Sequence, residues 1–100
     1  MDDKIDYTLL KQIVNDVDPV GLIDFDTPES LSEYDPELRE ILKEDISLLS
    51  SEQLGQRIYE VFVMFFNKEL VGKRERYDLI ADKFFAKKNE EKRGKRGNHD

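Results

Sequence analysis

The segment Asp16-Val17-Asp18-Pro19-Val20-Gly21-Leu22 constrains this chain more than any other, because it ends a helix for covalent reasons. Ahead of it, Ile5, Leu9, Leu10, Ile13, Val14 and Val17 fall at offsets 0, 4, 5, 8, 9 and 12, an apolar stripe with helical and not strand periodicity. The stripe predicts helix one over residues 4–16. Pro19 biases Asp18 away from helical dihedrals and Gly21 is free to take positive φ, so the chain turns here. Gly21 is the expected strained position, with Asp18 no more than a local cap. Residues 18–34 follow as a long acidic connection whose Val20, Leu22, Ile23, Phe25 and Leu31 must lie over a core to avoid an exposed apolar patch. A connection of this length ordinarily has a task or carries its own short turn of helix.

Further along, Asp35-Pro36-Glu37 combines an N-cap, a proline at the first helical position and an acid in the first turn. Leu38, Ile41, Leu42, Ile46 and Leu49 would be the buried face of helix two. Ser50 and Gln53 have the spacing of a capping box, and helix three is expected near residues 51–70. Its stripe of Leu54, Ile58, Val61, Phe62, Phe65 and Leu70 is widened by Tyr59, Val63, Met64 and Phe66, so it should touch neighbours on several sides as the central helix. Val61 to Phe66 favours a strand by propensity alone, but helical periodicity continues on both sides and decides for helix. Gly72 is a suitable stop, and Tyr77, Ile80, Ala81, Phe84 and Phe85 mark helix four over residues 73–87. From Lys87 to Asp100 there is no large apolar residue, and the chain should be a mobile charged tail.

With 100 residues there is room for one modest core, so one helical domain is expected over residues 1–87, with the tail at 88–100. The fold class this implies is all-α: an irregular or orthogonal four-helix bundle with a long acidic loop between helices one and two.

Functionally the sequence excludes more than it specifies. There is no Cys, hence no disulfide, thiolate metal site or thiol catalysis. The acidic start Met1 to Asp6 lacks an apolar signal core, and the longest apolar run, Val61 to Phe66, falls far short of a membrane span, so no membrane role and a cytoplasmic location are expected. His99 is the single histidine and lies next to the chain end, leaving no positioned general base. The spacing Asp16-x-Asp18-x-x-Gly21 is like the opening of a calcium loop, but Val20 takes a ligand position and Thr27 stands where a bidentate Glu is needed. No cofactor and no catalytic residue are therefore expected. The formal charge of −7 is divided unevenly: residues 1–60 carry 5 Lys+Arg and 16 Asp+Glu, net −11, and residues 61–100 carry 11 and 7, net +4. An acidic first half repels nucleic acid and attracts basic partners.

Three stretches, Asp18-Pro19-Val20-Gly21-Leu22, Tyr34-Asp35-Pro36-Glu37 and Leu54-Gly55-Gln56-Arg57-Ile58-Tyr59-Glu60, together resemble the YugE-like family of small bacterial helical proteins. The likeness spans residues 5–86, departing from the family pattern at Val17, where a Trp commonly precedes Asp-Pro. It implies an all-helical domain of bacterial origin and carries over no catalytic residue. Relatives of such domains also occur beside toxin genes as immunity proteins. The leading expectation is thus a non-enzymatic protein-binding module, an acidic immunity or antitoxin-type protein that masks a basic toxin domain through Asp24, Asp26, Glu29, Glu33, Glu37 and Glu40. The alternative is association with nucleic acid or a ribonucleoprotein through helix four, opened by Lys73, Arg74 and Arg76, and the basic tail.

Overall fold

A computed structural model describes the backbone of residues 3–24 and 26–97, with side chains for residues 6–24 and 26–90. Expectations for Ile5, Phe25, His99 and the last residues of the tail lie outside this description. The described chain is all-helical: α1 (Asp3–Val17), α2 (Asp35–Ile41), α3 (Ser51–Phe65), α4 (Lys68–Val71) and α5 (Glu75–Gly97). Short 3₁₀ turns at Pro28–Ser32 and Ile46–Leu48 join them.

Helix one and the Ser50–Gln53 capping box form as expected; both reciprocal bonds of the box are present, at 2.9 and 3.1 Å. Elsewhere the boundaries move. Tyr34 is the N-cap of α2, and Asp35 lies inside the first turn, where its carboxylate meets Lys11 of α1 at 3.0 Å. Helix two stops at Ile41 and does not run on to Leu49, because Asp45 caps a new turn by accepting from the Ser47 amide and hydroxyl, at 3.2 and 2.6 Å. Helix three breaks at Phe66, where the Asn67 side chain accepts from the Leu70 amide at 2.8 Å and starts α4. Gly72, at φ 76, then supplies the left-handed stop the sequence pointed to.

The final helix outruns its prediction by ten residues, Lys88 to Gly97. Burial is not needed to hold it: Lys, Arg and Glu are good helix formers, Lys87 pairs with Glu90 at 3.7 Å, and Lys88 reaches the buried Asp6 carboxylate of α1 at 2.8 Å.

The core is one cluster drawn from every α-helix. Leu10 and Val14 of α1, Tyr34 at the start of α2, Leu38 and Ile41, Leu54, Ile58 and Phe62 of α3, Val71, and Tyr77, Ile80 and Phe84 of α5 are fully enclosed. Phe62 is its hub, with ring centroids 5.6 Å from Tyr34, 5.2 Å from Tyr77 and 5.7 Å from Phe66. α3 touches α2, α4 and α5, which is the central role its widened stripe predicted.

The cross-links fix polarity. Arg76 of α5 donates to the Pro19 carbonyl just beyond α1, and Lys88 meets Asp6 near its start, so α1 and α5 are antiparallel. Tyr34 stacks by Phe62 and Arg57 donates to the Glu40 carbonyl at 2.7 Å, so α2 and α3 are antiparallel too. One end of the bundle therefore gathers the C-terminus of α1, the 18–34 connection, the C-terminus of α3, α4 and the start of α5. The opposite end holds the start of α1, the second 3₁₀ turn and the far half of α5.

Candidate functional site

The 18–34 connection is built around two polar nodes. Asp18 sits at φ 50, a left-handed conformation that Asp tolerates better than most residues, and its amide donates the last bond of α1 to the Val14 carbonyl at 2.7 Å. Its Oδ1 then accepts from the Leu22 amide at 2.7 Å, the Ile23 amide at 3.2 Å and the Tyr34 hydroxyl at 2.7 Å. The same tyrosine oxygen accepts from the Val20 amide at 3.2 Å. Burial and the Asp18 carboxylate push the Tyr34 phenol up from its ordinary value. The expectation that Asp18 is a minor cap is thus corrected: a left-handed carboxylate that collects three donors organises the whole turn. Gly21, at φ 73, has open space where a Cβ would stand, so only its dihedral demands glycine.

The second node is Ser30. Its hydroxyl accepts from the Asp24 amide at 2.7 Å and donates to the Asp24 carbonyl at 2.8 Å, while Asp24 itself accepts from the Asp26 amide and the Thr27 hydroxyl. Asn15 of α1 donates to the Leu31 carbonyl at 3.0 Å and pins the 3₁₀ turn to the body. The loop is therefore held in one shape by side-chain bonds to its backbone, and Val20, Leu22 and Ile23 pack on the core beneath it.

Between Lys11 and Arg39 the chain carries eight acids and no Lys, Arg or His. The six acids assigned to a partner surface divide into three groups here. Asp26, Glu29 and Glu33 are exposed, and their carboxylates neither accept a hydrogen bond nor meet a cation among the described residues. Asp24 is exposed but engaged in its own turn, and Glu40 pairs with Lys43 at 2.9 Å. Glu37 does not belong to a surface at all: it is only 4% exposed, its Oε1 lacks a partner, and burial together with the nearby Glu33 raises its carboxyl above the usual range. Its place in the first turn of a helix had marked it as solvent-facing; packing of that turn against the body reversed this.

The basic alternative is thinned in the same way. Arg74 is held by Gln56, the Glu52 carbonyl at 3.3 Å and the Asp78 carboxylate at 3.1 Å, and Arg76, though exposed, donates to the Pro19 and Val71 carbonyls. Of the three cations opening helix four, Lys73 alone stays exposed without such a contact. An open cleft of about 460 Å³ lies between α3 and α5, lined by Ser51, Glu52, Arg74, Asp78 and Asp82. Its groups satisfy one another, Ser51 donating to Asp82 and Arg74 holding Asp78, and no imidazole or thiol stands there to activate a nucleophile. Among the described residues, no three of His, Cys, Asp and Glu converge as a metal set would.

Sequence reasoning missed the apolar part of the loop end. Met64 is 65% exposed, Phe65 43% and Leu70 53%, within seven positions of chain around the α3–α4 break. The only available signal was that the stripe of helix three held more large side chains than one face can bury. No family model, no curated protein and no solved structure matches the chain.

Proposed function

We propose that this protein is a non-enzymatic binding module whose acidic loop end docks a basic protein partner, most concretely an immunity or antitoxin-type protein that masks a toxin domain. The observation that carries the reading is the stretch between Lys11 and Arg39, free of cations and bonded into a fixed shape that leaves Asp26, Glu29 and Glu33 without a partner among the described residues. A preformed loop loses little entropy on docking, and unpaired carboxylates retain their full field for a cationic partner. Charge of this kind acts mainly on encounter rate and on discrimination among partners. The proposal includes the resemblance to YugE-like proteins and the bacterial origin it implies.

Co-expression with a toxic effector encoded beside this gene, followed by co-purification, tests the class. The triple variant Asp26→Asn, Glu29→Gln, Glu33→Gln tests the surface: association should slow and lose most of its salt dependence while dissociation changes less. Unchanged association with a bona fide cognate partner would remove these acids from the interface.

A further inference from the structure

We propose that the acidic loop end carries an apolar anchor site at Met64, Phe65 and Leu70, and that the segment it receives is cationic and amphipathic, with apolar side chains on one face and Lys or Arg along another. The inference rests on the protein-binding reading above and goes further by stating the chemistry of what docks. The topology supplies the juxtaposition. α2 and α3 are antiparallel, with Tyr34 against Phe62, so continuing α3 from Phe62 to Met64 and Phe65 leads toward the residues that precede Tyr34, which are Glu33 and the 3₁₀ turn bearing Glu29.

Three large apolar side chains are thereby left open to water at the end of the molecule where the unpaired carboxylates sit. The other exposed large apolar residue at a helix junction, Leu48, belongs to the opposite end. A purely hydrophilic cation such as a polyamine would leave the apolar residues wet, and a neutral apolar segment would leave the acids unmatched. A segment bearing both matches both, with apolar anchors at the centre and charge at the rim, the usual division of labour at protein interfaces. The acids at 26–33 set the direction of its cations, since the α4 side is of mixed charge, with Glu69 between Lys68 and Lys73.

The test uses two synthetic peptides of identical Leu/Lys composition, one ordered as an amphipathic helix and one scrambled, titrated against the full chain by fluorescence anisotropy. The ordered peptide should bind more tightly than the scramble. Met64→Ser with Leu70→Ser should weaken the ordered peptide by about tenfold or more and leave the scramble unchanged. Leu48→Ser should alter neither, and because all these side chains are exposed, unchanged melting curves confirm that folding is intact. Equal binding of the two peptides, or an ordered peptide indifferent to Met64→Ser with Leu70→Ser, overturns the anchor site. In that event the acidic surface still stands if Glu29→Gln with Glu33→Gln weakens both peptides. If those neutralisations also change nothing, the protein-binding reading through this loop fails with it.

Discussion

Asp18→Ala is the perturbation that most directly probes how this fold is set. The substitution removes an acceptor from the Leu22 and Ile23 amides and from the Tyr34 hydroxyl, with bonds of 2.7, 3.2 and 2.7 Å. Hydrogen bonds to a charged group are worth about 1.5–3 kcal/mol each, but three donors on one oxygen do not add, and the loop amides can regain water once the turn loosens. The Tyr34 hydroxyl is the group with least access to water, since the ring is fully enclosed. A left-handed alanine adds about 1 kcal/mol of backbone strain. Together these give an expected loss of about 3–5 kcal/mol, a large fraction of the total stability of a domain this size.

Two companion variants separate the components. Asp18→Gly loses the same bonds without the strain and should be about 1 kcal/mol milder than Asp18→Ala. Asp18→Asn keeps an acceptor for the tyrosine but loses the charge, and should cost about 1–2 kcal/mol. The expected order of stability is therefore Asn above Gly above Ala. Equilibrium urea denaturation reads it, with an unchanged slope confirming that the midpoint shifts report stability alone. An Asp18→Ala protein within about 0.5 kcal/mol of the parent would refute the organising role of the carboxylate, being no larger than an ordinary surface substitution.

Gly55→Ala should destabilise by about 1–3 kcal/mol, since its Cβ would stand 3.2 Å from the Asp78 Cα and force α5 off α3; a neutral result in the same denaturation assay would mean that the helices have slack at this crossing. Alkaline pH should unfold the protein through its enclosed phenols. Tyr77 is pushed up to about 12 and Tyr34 is also raised, both chiefly by burial, so the unfolded chain releases their protons first. Their contribution is intact below pH about 10 and declines by about 1.4 kcal/mol per unit per tyrosine as pH rises toward the folded values, a slope that Tyr34→Phe should reduce; tyrosinate absorbance for all four tyrosines, the half-buried Tyr7 and Tyr59 included, developing before unfolding would contradict it. Glu37→Gln should raise stability at neutral pH by about 1 kcal/mol, because the carboxyl is raised in the folded state and its ionised form is the one that burial penalises; a lower melting temperature for Glu37→Gln would show that the charge has a partner.

What the sequence disclosed of this fold follows from the range over which each signal acts. The stripe from Leu9 to Val17, the Ser50–Gln53 box and the Gly72 stop are local, so they could be read directly and the structure contains them. Asp45 and Asn67 are local as well, yet each competes with an apolar stripe that continues past it, and weighing stripe over cap made helices two and three too long. The work of Asp18 depends on Tyr34, sixteen positions away, and the fate of Glu37 on how α2 packs against the rest of the chain, and no periodicity reports such contacts. The extension of α5 past Lys87 follows from something other than an apolar stripe, since helix propensity and the Lys88–Asp6 bridge order a chain without large buried side chains.

The residues that set the turn and the helix crossing are a different set from those proposed to bind, and this bears on how the function should be sought. Asp18 and Tyr34, from two of the three stretches singled out in the sequence, bond to each other, and Gly55 from the third is where α5 crosses α3. These residues shape one turn and one helix crossing, which says how the chain folds and nothing of what it binds. Asp26, Glu29, Glu33, Met64 and Leu70 lie outside all three stretches, on the loop and helix ends that the motif residues hold in place. The side chains at those five positions take part in neither the loop's hydrogen bonds nor the enclosed core, so the fold does not depend on their identity. Swapping the charges at 26, 29 and 33 should accordingly redirect binding with melting temperature held, whereas any change at Asp18 or Tyr34 should lower both together, because the surface exists only while the turn beneath it is closed.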